Sequence, residues 1–105
     1  MDARTLSFDI LLEFENSKRW LSHVRNDYFG VKKPPRLTCE RTTVLTNEVV
    51  KWKRLLDSII NTNLHKPSVK LKFPVRNLLR LGVYELLIDK FSPDYAVVDS
   101  YVKLS

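Results

Sequence analysis

The sequence predicts an all-α domain, a bundle of about five helices. Apolar residues recur at three- and four-residue spacing over most of the 105 residues, which is the mark of amphipathic helices. Glycine is scarce: there are only two, Gly30 and Gly82, whereas a sheet protein of this size needs many tight turns, and tight turns favour glycine. The five prolines fall between the apolar stripes or at their starts, where a missing N–H does least harm.

The first helix is expected over about Ala3 to Glu15, where Ala3, Leu6, Ile10 and Phe14 share a face and Leu11 lies beside them. The second is expected over about Ser17 to Tyr28. Ser17 is its N-cap, Trp20, Leu21, Val24 and Tyr28 form its apolar face, and Gly30 lies where a helix often stops. Val31-Lys32-Lys33-Pro34-Pro35 is a loop, because consecutive prolines cannot continue a helix. The third and longest helix runs from Thr38, its cap, to Asn61, with Leu45, Val49, Trp52, Leu56 and Ile59 at 3.6-residue spacing. Residues 62–73 form a second linker. The fourth helix, Pro74 to Asp89, is apolar over more than half its circumference and is the expected central helix. Gly82 within it costs about 1 kcal/mol relative to alanine, a cost that a close helix crossing would explain. Ser92 caps a fifth helix that starts at Pro93 and carries Val98, Tyr101 and Val102.

Apolar residues make up 44% of the chain and charged residues 29%, ordinary values for a single globular domain spanning residues 1–105. Cys39 is the sole cysteine, so a reducing compartment is expected. The N-terminal segment is interrupted by Asp9, Glu13 and Glu15, unlike a secretory leader. No apolar run approaches the ~20 residues of a spanning helix. A cytoplasmic protein with no membrane partner is expected. With two glycines 52 residues apart, no phosphate-cradling loop or dinucleotide fingerprint is available. His23, Cys39 and His65 lack metal-ligand spacing, and Cys39, although near Arg36 and Arg41, reads as an ordinary thiol. Glu13 and Glu15 do not share a helix face, and Glu85 with Asp89 reads as solvated acids. No metal, no cofactor and no catalytic residues are expected.

The net charge of +6 is unevenly distributed. Residues 1–50 carry +1, residues 81–105 carry −2, and residues 51–80 carry +7, with Asp57 as their single acid. Such a concentration suits a polyanion. Lys70, Lys72, Arg76 and Arg80 are the leading candidates for phosphate contact, with Lys51 and Arg54 beside them. The other reading of Arg76 and Arg80 is pairing with acids such as Asp57 or Asp99. Trp20, Trp52 and Tyr84 can in principle stack on bases, but their helical spacing favours core packing.

The stretch Pro74-Val75-Arg76-Asn77-Leu78-Leu79-Arg80-Leu81-Gly82-Val83-Tyr84-Glu85-Leu86-Leu87 resembles the central helix of the NusB family, of the type V-R-x-x-L-R-L-G-x-Y-x-L-L. Ala96-Val97-Val98-Asp99-Ser100-Tyr101-Val102-Lys103-Leu104 is similar to the family helix A-V-N-E-A-V-x-L-A that follows a proline loop. Thr46 to Asp57 is similar to the segment T-E-L-V-Y-G-V-L-R-x-x-x-x-L-D. The resemblance is loose over the whole chain and close over residues 74–104. It implies an all-α NusB-like bundle and, as the partner, RNA of the ribosomal class in rRNA processing.

The family has two branches. One is the free-standing transcription antitermination factor, which binds single-stranded RNA together with a ribosomal protein. The other is the N-terminal domain of rRNA (cytosine-5)-methyltransferases, which precedes the catalytic domain. The first branch typically opens with an arginine-rich helix, whereas here residues 1–15 hold Arg4 against Asp2, Asp9, Glu13 and Glu15. The resemblance is therefore closer to the methyltransferase branch. Asp99-Ser100 stands where family members have Asn-Glu, and the family's further helix, G-x-V-N-x-V-L-R, has no counterpart before Ser105. A fragment lacking that helix is expected to leave an apolar groove lined by Val83, Leu87, Val98 and Tyr101. The alternative functions are a stand-alone NusB-like antitermination factor and a protein-interaction module that uses this groove for a partner helix or, as a homodimer, for a second copy of the chain.

Overall fold

The computed structural model describes residues 2–63 and 72–104, and all regular structure among them is helical. The chain forms two compact units, Met1–Glu48 and Val49–Ser105.

In the first unit, α1 (Ala3–Asn16) is opened by Asp2, whose carboxylate accepts a 2.8 Å hydrogen bond from the Thr5 N–H and so satisfies one of the orphan donors of the first turn. Ser17 does not open the second helix as expected. It closes α1: its backbone is extended, its N–H bonds the Phe14 carbonyl, and its buried Oγ has no hydrogen-bond partner. The second helix, α2 (Leu21–Lys32), therefore starts four residues later than predicted, and Trp20 occupies its N-cap position without a capping side chain. Gly30 lies inside α2, not at its end. The helix stops at Lys33, which takes the left-handed conformation (φ 48°) just ahead of Pro34-Pro35. Leu6 and Ile10 of α1 and Val24 of α2 are fully buried together, with Leu21, Tyr28 and Phe29 packed on them. These belong to the apolar faces expected from the sequence, Phe29 excepted.

The third helix, α3 (Arg36–Lys51), begins directly after the two prolines, so Thr38 lies within it and is not its cap. It does not continue to Asn61. The backbone leaves helical geometry at Trp52 (φ −97°, ψ 14°), and a separate helix, α4 (Lys53–Thr62), follows. The Leu56 N–H still bonds the Trp52 carbonyl at 2.9 Å. The 3.6-residue spacing therefore passes through the break, which is why periodicity hides it.

In the second unit, α5 (Phe73–Val83) carries Pro74 in its first turn as expected. It lies antiparallel to α4, since Arg76 reaches Asn61 while Arg80 reaches Asp57. The predicted fourth helix is not α-helical to Asp89. From Tyr84 to Asp89 it widens into a π-helical turn, closed by the Lys90 N–H on the Glu85 carbonyl at 3.2 Å. The last helix, α6 (Asp94–Leu104), begins one residue past Pro93, whose carbonyl accepts from the Ala96 and Val97 N–H groups. Val49, Leu56, Ile60, Leu81, Tyr84, Val97 and Tyr101 are the buried apolar residues described in this unit. Among the described residues, no helix is long and apolar enough to cross a membrane.

Gly82 is not required by a close crossing. A Cβ built there would lie 3.7 Å from the Tyr101 ring, an ordinary contact. Gly82→Ala is therefore expected to raise stability by about 0.5–1 kcal/mol through helix propensity. Urea melts of the two proteins check this, and a loss of stability would show that the Tyr101 ring cannot accept the methyl group.

Candidate nucleic-acid interface

The charge-rich second unit is organised by one carboxylate. Arg80 grips Asp57 with two prongs, Nε to Oδ1 at 2.7 Å and Nη2 to Oδ2 at 2.9 Å, and its Nη1 donates to Asn77 Oδ1 at 3.0 Å. Arg76 donates to Asp57 Oδ1 at 3.3 Å and to Asn61 Oδ1 at 3.2 Å. The i, i+4 spacing of the two arginines on α5 brings both guanidinium groups to the same acid on α4. Burial by itself raises the pKa of Asp57, but the hydrogen bonds and charges of Arg80, then of Arg76, outweigh it and hold the carboxyl below its usual range. Arg80 is only 3% exposed, so its guanidinium is turned inward and is already engaged. Of the two readings of these arginines, the geometry is that of ion pairing with Asp57. The other acid considered, Asp99, pairs with Lys103 on its own helix at 3.0 Å.

Among the described residues, the remaining candidates do not converge on one spot. Lys51 and Arg54 are exposed at the junction of α3 and α4, together with Lys53. Lys72, also exposed, precedes α5 one turn before Arg76, and so lies toward the Asn61 end of α4. The 10 residues of α4 separate these two ends by about 15 Å. Lys70 lies outside the described residues, as does His65.

Trp52 sits within the first of these groups. It is 36% exposed, and Lys51 Nζ lies 5.2 Å from the centroid of its ring, within the range of a cation–π contact. The start of α4 has no capping side chain and no acid in its first turn. Trp20, expected in the core, is 76% exposed. Tyr84 is buried as expected. Both tryptophans stand at interruptions of helix, Trp20 ahead of α2 and Trp52 between α3 and α4. The missed signal was local: each has cations beside it, Lys18-Arg19 before Trp20 and Lys51, Lys53 and Arg54 around Trp52.

Glu85 also departs from expectation. It is not a solvated acid but is buried in the π turn, where it accepts a 2.5 Å hydrogen bond from the Tyr101 hydroxyl on α6. Asp89 instead accepts from the Phe91 N–H. Among the described residues, no group of His, Cys, Asp or Glu is arranged to hold a metal ion. The expected apolar groove exists between α5 and α6, with a volume of about 350 Å³. Val83, Val98 and Tyr101 line it along with Val75, Leu79 and Val102, whereas Leu87 lies outside it.

The model of the NusB family matches residues 1–105. The chain belongs to the NusB family. It is 33% identical over 115 aligned residues to the transcription antitermination protein NusB of Streptomyces avermitilis, a match that covers 98% of this chain and 74% of that relative. No solved structure matches the chain. Within this NusB-family chain, the central-helix resemblance falls on α5 and the π turn, the elements that carry Arg76, Arg80 and Glu85.

Removing the Asp57 carboxylate strands a buried guanidinium. Asp57→Ala is expected to destabilise the protein by about 3–5 kcal/mol, as measured by urea unfolding at neutral pH. Because the pKa of Asp57 is lower folded than unfolded, its contribution is present above the ordinary carboxylate pKa. It is lost as pH falls through that value toward the folded one. The difference between wild type and Asp57→Ala is accordingly expected to shrink in melts at acid pH. A difference that stays constant would show that Asp57 is not the titrating group.

Proposed function

We propose that this chain is a non-catalytic RNA-binding domain that holds the backbone of single-stranded RNA at the α3–α4 junction, with Lys51 and Arg54 as the main phosphate contacts. The observation that carries this reading is the disposition of charge. Asp57 is the only acid in residues 51–80, and Arg76 and Arg80 bind it from inside. Arg54 is exposed in the first turn of α4, which holds no acid, and Lys51 is exposed at the end of α3. Lys72 contributes a second, separate contact.

Two settings suit such a domain. The likeness to a transcription antitermination protein supports a stand-alone factor that binds RNA beside a ribosomal protein. The single arginine among four acids in residues 1–15 supports the domain that precedes an rRNA cytosine methyltransferase. Cooperative RNA binding in the presence of the ribosomal protein favours the first setting. Binding to rRNA fragments that the ribosomal protein leaves unchanged favours the second.

Affinity for single-stranded RNA is expected to fall log-linearly with salt, by about 0.7 per phosphate contacted. Replacing Lys51 and Arg54 together by alanine is expected to flatten that slope by about 1.4 and to leave the melting temperature nearly unchanged. Replacing Arg76 and Arg80 is expected to do the reverse. Titrations at three salt concentrations, run beside thermal melts, separate these outcomes. Absence of RNA binding by the folded wild type at low salt would remove this reading and leave the groove between α5 and α6 as the functional surface, with a protein as its partner.

A further inference from the structure

Resting on that reading, we infer that Trp52 is a stacking platform for one unpaired RNA base, with Lys51 and Arg54 placed for the phosphates flanking that base. The first ground is the position of the indole. For one residue the chain is neither α3 nor α4, and the buried stripes on either side, Leu45 and Val49 before and Leu56 and Ile60 after, do not include Trp52. A large ring is thus presented at a corner of the backbone, with more than a third of its surface in water.

The second ground is what covers the ring. Lys51 Nζ stands 5.2 Å above the centroid, so at least one π face is reached by a group that is itself exposed and on a flexible stem. A base is a stronger partner for that face than an exposed ammonium is. An arriving base therefore displaces the lysine, and the released ammonium stays within a side chain's length of the phosphate attached to that base. Stacking of this kind requires a base splayed out of any helix, which limits the ligand to unpaired nucleotides.

The third ground is the comparison with Trp20. That indole is the more exposed of the two, but its neighbour Arg19 is held by Asp27 at 2.6 Å. At Trp52 the nearest acid on α4 is Asp57, which Arg80 and Arg76 already hold. The two sites differ in where the preceding cation is held, on Asp27 at Trp20 and over the indole itself at Trp52, and this selects Trp52.

The full chain has two tryptophans, so fluorescence decides the matter. In Trp20→Phe, Trp52 is the only indole. Titration with an unstructured single-stranded RNA decamer at low salt should quench its emission along the same isotherm that an independent anisotropy measurement gives, and a duplex of the same length should not. Trp52→Ala should weaken single-strand affinity about tenfold, and Trp52→Phe should restore most of the loss. If Trp52→Ala does not fold, as judged by circular dichroism, the Trp20→Phe titration stands alone as the test. Binding with no change in Trp52 emission, quenching by the duplex equal to that by the single strand, or full affinity in a folded Trp52→Ala would each overturn the stacking site while leaving RNA binding intact. Absence of any RNA binding by wild type would overturn both.

Discussion

The second unit depends on the Asp57 carboxylate and the two arginines that converge on it. A guanidinium as deeply buried as that of Arg80 is tolerable only when its donors are met by an anion and by oriented acceptors. Asp57 supplies the anion, and Asn77 accepts from the third nitrogen. The same contacts set the register of two helices. Residues 57 and 61 on α4 and 76 and 80 on α5 are each one turn apart, and they pair in opposite order. Sliding either helix by a turn would separate the charges. Apolar side chains alone specify such a register weakly, because Leu56 and Ile60 would find other leucines one turn away.

The π turn that follows α5 has a comparable effect on α6. Tyr84 and Glu85, at the start of the π turn, are both buried, and there the glutamate meets the Tyr101 hydroxyl. Polar bonds thus link the elements of the second unit on both sides: Arg80 to Asp57 toward α4, and Glu85 to Tyr101 toward α6. The apolar groove lies on the remaining face of the α5–α6 pair.

Much of this was legible in the residues. The face of α1, the position of Pro74 in the first turn of α5 and the all-helical class follow from spacing and from proline chemistry. Phosphate contact and Asp57 were both open to Arg76 and Arg80 in the sequence, because counting charges treats every arginine as available; the structure shows both paired with Asp57. Three features were hidden for physical reasons. The break at Trp52 preserves an i to i+4 hydrogen bond, so the hydrophobic period runs through it unaltered. Ser17 has the chemistry to end one helix or begin another, and its side chain does neither. The π turn is built from Tyr84, Glu85, Leu86, Leu87, Ile88 and Asp89, none of them a residue that punctuates a helix, so composition does not report it.

Among the described residues, what remains of the basic segment bears on what it can do. Of the cations in residues 51–80, Arg76 and Arg80 are committed to Asp57. Lys51, Lys53 and Arg54 cluster around an indole, and Lys72 lies toward the far end of α4. Phosphate contacts fix position but carry no sequence information, and stacking on an aromatic ring tolerates any base. A surface made of these two elements gives affinity and placement with little discrimination among sequences. Under the proposed function, the choice of RNA must then come from a second protein or a second domain acting on the same strand. Both proposed settings would supply one, a ribosomal protein in the first and a methyltransferase domain in the second, acting on RNA that this domain would hold.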